Sequence, residues 1–397
     1  MPSHVAWLDT SPAEQRAARE MIALFSQPDG RDELGLGPIR DAFSDLLFPG
    51  TSVIQTRARY FLFIPWCYTA GSAKGLHGRE NRLKGQAQER RLVETLIKAK
   101  LEDSTGLIGV RVGPSVKTLP STIYMSGMRT YAVRTSSSDI GSVIPEYVQL
   151  EGESEIAVRQ LSEWDPSMPP APPGFPRDVP GGFALTADEA DWLAGRMTRA
   201  APESVLTHLL RRGALIPNTA AFAWESVDRS VFPALDHAYW FSCVVQGARL
   251  LYNLIVAEEY AAARLNRVGD LRDHYRQELT TWTEDFLTPQ RELIHEWDLT
   301  AAWALVGRAN PRIEPQARHW VEAWTRTAVS AATVPDDQQL RQLVRAREQR
   351  KGKQSRLANP KMLATWSGAA GTTPLTFRWP TVRTIVNDIV GAKNAQS

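Results

Sequence analysis

The sequence predicts a mostly α-helical protein of two domains, with a few short strands confined to the first. Three observations predict it. Apolar residues recur at helical spacing through most of the 397 residues. Prolines and capping residues stand where helices would start. One long apolar interval, Leu235 to Arg267, carries Tyr239, Trp240, Val244, Ala248, Leu251, Tyr252 and Ile255. It reads as the central helix of the second domain.

Taken in order, residues 12–26 form an amphipathic helix with Ala17, Met21, Ile22 and Phe25 on its buried stripe. Pro38 suits a first helical position, and Ile39, Phe43, Leu46 and Leu47 then share one face. Phe48-Pro49-Gly50 stops that helix. Ser52 and Gln55 form a capping-box pattern, so a second helix is expected from Ser52 to Ile64, ended by Pro65. A helix, a turn and a helix raise the question of a DNA-reading pair. The second helix argues against it, because it is apolar all round after Arg59. Arg57 and Arg59 lie roughly 200° apart on a helix and cannot form one patch there. Asp41 or Asp45 is the expected partner of one of them.

The interval Gly71 to Arg91 is basic and glycine-rich, and is expected to be a loop before a helix from Gln88 to Glu102. Leu107 to Val112 is strand-like, and Ser121 after Pro120 suits a helix through Met128. These pieces fit either a winged-helix unit or an ordinary αβ subdomain. Glu146, Glu151, Glu153 and Glu155 then make an acidic stretch, read as solvated acids and not a metal site. The proline-rich interval 165–182 is expected to be an extended crossover. It divides the chain into residues 1–164, an α-rich domain with short strands, and residues 183–397, a helical domain. Beyond it, Thr186 with Glu189 forms a capping box, Pro202 opens the next helix, and Pro289 and Pro315 fit first helical positions.

Composition narrows the function classes. Forty-six basic against 44 acidic residues leave a net charge of +2, so binding to nucleic acid would have to come from local asymmetry. Two cysteines, Cys67 and Cys243, exclude a disulfide framework and point to a reducing cytoplasm. No leader pattern or 18-residue apolar span is apparent, so no membrane is expected. No phosphate-binding glycine loop, dinucleotide fingerprint, zinc motif or nucleophile elbow occurs. No cofactor, metal or catalytic residue is therefore assigned. The seven histidines are isolated, and His295 beside Glu296 and Asp298 points away from them on a helix.

The strongest charge asymmetry is near the end. Arg341, Arg345, Arg347, Arg350, Lys351, Lys353 and Arg356 stand against Glu348 alone. Such a run is either an exposed helix end or a contact to a phosphate backbone, where each neutralised phosphate releases counterions. These seven residues are the candidate nucleic-acid-binding site.

The motifs RDELGLGPIRDAFSDLLFPGTS, IQTRARYFLFIPW, LPSTIYMSGMRTYAV, REQRKGKQSRLANP and FRWP resemble a bacterial family of unknown function catalogued under the number 6361. The resemblance spans nearly the whole chain. It carries no known activity and implies a loose association with bacterial defence gene neighbourhoods. Together these readings lead to a non-catalytic, nucleic-acid-contacting component of a bacterial antiphage defence system. Its expected partners are a DNA or RNA backbone and other proteins of that system. The alternatives are an enzyme without a recognisable motif, such as a nuclease-type effector, and a helical protein-binding scaffold.

Overall fold

The structure, a computed structural model, describes residues 32–71, 79–99, 105–135 and 163–395. Among them are fourteen α-helices: α1 (Gly37–Leu47), α2 (Tyr60–Gly71), α3 (Arg79–Lys98), α4 (Pro120–Thr130), α5 (Ala187–Ala200), α6 (Val205–Arg212), α7 (Pro233–Ala262), α8 (Arg272–Trp282), α9 (Arg291–His295), α10 (Leu299–Ala309), α11 (Pro315–Ser330), α12 (Gln338–Gln349), α13 (Pro360–Leu363) and α14 (Trp379–Asn394). The helix expected over residues 12–26 and the acidic stretch of Glu146 to Glu155 lie outside the described residues.

The chain forms two compact units, and each is discontinuous. One is Met1–Leu47 with Phe222–Phe377; the other is Phe48–Ala221 with Arg378–Ser397. The proline-rich interval 165–182 therefore lies inside the second unit and does not separate two domains. Its anchors are aromatic and polar. Phe175 packs on Phe63 and Trp66, and the Trp66 indole donates to the Pro169 carbonyl at 2.8 Å.

In the first unit, α7 is the element on which α1, α8, α10, α11, α12 and α13 all pack. Nineteen of its thirty residues are buried, too many for one stripe, so it is covered on most sides. It is long and apolar enough to cross a bilayer by length and composition, contrary to the sequence expectation, yet 83% of its most apolar window is buried inside the fold. Gly247 is what lets α8 approach: a Cβ there would stand 2.4 Å from the Trp282 ring. The Trp282 indole then donates to the Cys243 carbonyl at 2.9 Å.

In the second unit, α2 packs against α3 and α4, and α14 packs against α5 and α6. The capping box of Thr186 and Glu189 is present at the start of α5. Three expectations need correction here. The segment after Ser52 is not helical until Tyr60. The Tyr124 hydroxyl pins it in non-helical backbone, accepting from the Thr56 and Arg57 amides at 2.7 and 3.0 Å. Pro65 stands inside α2 and does not end it, because every residue from Tyr60 to Cys67 is buried and packing overrides propensity. The helix expected from Gln88 starts at Arg79.

The short strands are also absent among the described residues, where only an isolated bridge joins Arg134 and Trp164. Leu107 to Val112 is a succession of turns. Gly106, Gly109 and Gly113 take φ of +86°, +88° and +61°, which breaks any extended ladder.

Arg57 and Arg59 are both ion-paired, with Asp388 and Glu189 where Asp41 or Asp45 was expected. Arg57 meets Asp388 of α14 at 2.9 Å, and Asp388 also accepts the Ala58 amide just ahead of α2. Arg59 meets Glu189 at 2.9 Å, with side-chain exposures of 3% and 6%. It also donates to the carbonyls of Pro180 and Gly182, closing the proline-rich interval onto the core. Asp41 pairs with its neighbour Arg40. Arg59→Met should therefore destabilise the protein by on the order of 3 kcal/mol in urea unfolding, since it strands a buried carboxylate. The double variant Arg59→Met/Glu189→Gln should recover a large part of that loss; equal losses in the single and double variants would contradict the pairing.

Candidate functional site

The basic segment is built on α12 and the turn after it. Asp337 caps α12 by accepting the Leu340 amide at 2.9 Å, and Leu340 and Val344 bury its apolar side. The four-residue spacing of Arg341 and Arg345 does put them on one face, as expected, but that face meets acids of α7. Arg341 pairs with Glu258 and also donates to the Pro335 carbonyl at 2.8 Å. Arg345 pairs with Glu259 at 2.8 Å.

The end of the segment folds inward. Glu348, fully buried, accepts the Arg356 amide at 2.7 Å and lies 2.5 Å from the Lys351 ammonium. Lys351 also reaches Glu33 at 2.8 Å. Arg356 pairs with Glu33 and donates to the Tyr252 hydroxyl at 3.0 Å. The result is a buried set of two acids, two cations and a tyrosine. Burial opposes ionisation of Glu33, but the charges of Lys351 and Arg356 outweigh it and hold that carboxyl below its ordinary value. At Glu348 burial wins, and its carboxyl is raised. Burial likewise pushes the Tyr252 hydroxyl up, so it stays a neutral donor and acceptor.

Four of the seven candidates, Arg341, Arg345, Lys351 and Arg356, are thus neutralised from inside. Three differ. Among the described residues Arg347 donates only to main-chain carbonyls, those of Leu34 at 2.7 Å and Gly35 at 3.0 Å. Burial, and then the like charge of Arg350, push its guanidinium below the ordinary value. Arg350 and Lys353 are exposed on either side of Gly352, and neither is ion-paired among the described residues. Arg347, Arg350 and Lys353 thus stand at the end of α12 and in the turn after it without an ion pair among the described residues, with Asp32 and Glu314 acting on Arg347 from a distance.

Among the described residues no group of three or more His, Cys, Asp or Glu could hold a metal ion. His237 accepts the Trp297 indole proton at Nδ1, 3.0 Å away, and burial holds its imidazole below the usual value. It is a neutral core histidine. Asp298 caps α10 by accepting the Ala301 amide at 2.9 Å.

One polar cluster escaped sequence reasoning. Glu89 of α3 is fully buried in the second unit. One carboxylate oxygen accepts the Ser121 amide at 2.7 Å, in the first turn of α4; the other has no hydrogen-bond partner within bonding distance among the described residues, though the nearby Ser121 and Tyr68 hydroxyls favour its charge. The Tyr68 hydroxyl donates to the Ser121 hydroxyl at 3.3 Å. Burial pushes the Glu89 carboxyl up to about 7. A signal was present: Glu89 precedes Leu92, Val93 and Leu96 by three, four and seven residues, which places it on the apolar stripe of its helix.

Residues 2–393 match the family of unknown function DUF6361, and the chain belongs to that family. No curated protein and no solved structure matches it.

The Glu33 cluster yields a test. Glu33→Gln should cost on the order of 3 kcal/mol at pH 7, because the buried Arg356 guanidinium would lose its acid and Lys351 would keep Glu348 alone. The Glu33 carboxyl lies below its unfolded value of 4.5, so its contribution is present above that value and is lost as pH falls through the folded one. The gap between wild type and variant in urea unfolding should therefore narrow in acid. A gap that stays constant or widens in acid would contradict the cluster.

Proposed function

We propose that the protein is a non-catalytic component of a bacterial defence system that holds a nucleic-acid backbone at the C-terminal end of α12. The observation that carries this reading is the contrast within one segment. Four cations there are matched to internal acids, while Arg347, Arg350 and Lys353 are left without an ion pair among the described residues. The charge of Arg350 opposes that of Arg347, and an anion from outside would relieve that repulsion. Arg347 is positioned by two carbonyls, so its orientation does not depend on the anion. Arg350 and Lys353 are exposed and reach solvent directly. A phosphate backbone suits such a set because it rewards charge without requiring base reading.

The test separates structural cations from binding ones. Arg350→Ser/Lys353→Ser should melt like wild type, since both side chains are exposed. It should weaken retention of single- or double-stranded DNA or RNA similarly for all sequences. The slope of log affinity against log salt should flatten by roughly 0.7 to 0.9 for each lost contact. Arg341→Ser/Arg345→Ser should instead lower the melting midpoint. If wild-type protein retains no nucleic acid at low salt, this reading fails and a protein-binding helical scaffold takes its place.

A further inference from the structure

We propose that the layer of α2, α3 and α4 in the second unit is a proton-dependent joint, held while Glu89 carries a proton and loosened when it ionises. Glu89 stands where these three helices meet, on α3, with its carboxyl at the first turn of α4. It is fully buried, and no ion pair reaches it among the described residues. An ionised carboxylate in such a place is costly, because burial strips its hydration and no partner cation among the described residues compensates it. A carboxylic acid is not: one oxygen keeps the Ser121 amide and the other carries the proton.

The groups that face Glu89 from each element support this reading. From α2 come Tyr60, Cys67 and Tyr68, whose own protons are held more tightly by burial and by the nearby Glu89 charge. None of them supplies a positive charge. From α4 comes Ser121, which offers its amide and hydroxyl. On α3 itself, Arg90 acts on Glu89 only weakly, the last of the influences on it. Its guanidinium is committed to the Pro114 and Val116 carbonyls at 2.6 and 2.9 Å. Arg82, also on α3, acts on the Tyr68 hydroxyl. The approach of α3 to α2 is close, since a Cβ at Gly85 would stand 2.5 Å from the Tyr68 ring.

The sign of the pH dependence follows. The folded value, about 7, lies above the unfolded 4.5. Below 4.5 both states hold the proton and nothing changes. Between 4.5 and 7 the unfolded chain releases it first, so stability falls as pH rises. Above 7 the whole penalty is present. The shift from 4.5 to about 7 corresponds to a change of roughly two to three powers of ten in the folding equilibrium constant.

The test compares full-length wild type with Glu89→Gln between pH 4.5 and 8.5, by urea unfolding and by amide hydrogen exchange corrected for intrinsic rates. Gln is the neutral isostere and still accepts the Ser121 amide. The two proteins should be nearly equal at the acid end, and the variant should be the more stable at pH 8. Protection in α3 and at the start of α4 should fall with rising pH in wild type and stay level in the variant. Parallel profiles, or a variant less stable at pH 8, would overturn the proposal. Should the variant fail to fold, the wild-type exchange profile decides alone: protection in α3 and α4 unchanged across this range would overturn it too.

Discussion

A helix buried on most of its surface must satisfy its own polar side chains from inside the protein, and α7 is organised by that constraint. Its polar groups fix other segments of the first unit against it. The Ser242 hydroxyl both accepts from and donates to the main chain of Leu375. Asn253 makes the same two-way pairing with Ala370. Arg249 donates to the Thr373 carbonyl, so the run from Ala370 to Leu375 is laid along the helix by three side chains. His237 receives Trp297, and Tyr252 receives Arg356. Hydrophobic burial would hold these elements against α7 without choosing their register. Hydrogen bonds chose it, because a shifted segment would leave a buried donor or acceptor unmade.

The same logic governs the basic segment. Counted locally, it has seven cations and one acid, and it reads as a charged patch looking for an anion. The fold supplies Glu258 and Glu259 from α7 and Glu33 from far upstream. Those acids lie about 80 and 320 positions away, beyond what any window of sequence weighs. The helical spacing of Arg341 and Arg345 did predict that they share a face. It could not predict that the face is turned toward carboxylates. The surviving candidates, Arg347, Arg350 and Lys353, are those whose surroundings offer carbonyls or solvent.

Local signals were legible where the controlling interactions are local. Pro38 early in α1, the Thr186–Glu189 box at α5, Pro315 at the start of α11 and the apolar run of α7 all mark real elements. The signals misled where a distant group decides. Ser52 and Gln55 do interact, with the Ser52 amide donating to the Gln55 side chain at 3.2 Å, but the Tyr124 hydroxyl pins the following residues in non-helical backbone. Leu107 to Val112 looked strand-like, yet Gly109 within it takes a φ of +88°. The boundary drawn at residues 165–182 rested on proline content. Proline favours extended chain, which is as suitable for lying across a core as for linking two of them, and Phe175 and Pro180 show the former.

Compensation of buried charge separates the parts of this protein that are fixed from those that can respond. Arg57 with Asp388, Arg59 with Glu189, and Glu33 with Lys351 and Arg356 are matched sets. Removing one member leaves a stranded charge, so such sets resist change in composition and, at neutral pH, in protonation. Glu89 has no such match. It caps α4 with a hydrogen bond that its neutral form keeps, and burial outweighs what Ser121, Tyr68 and Arg90 do to favour its charge. Burial without a partner raised its carboxyl toward neutrality, whereas burial with two cations lowered that of Glu33. The two residues are the same amino acid at similar depth. What differs is the company each keeps: the chain just after α12 brings Lys351 and Arg356 to Glu33, and no cation is ion-paired to Glu89 among the described residues.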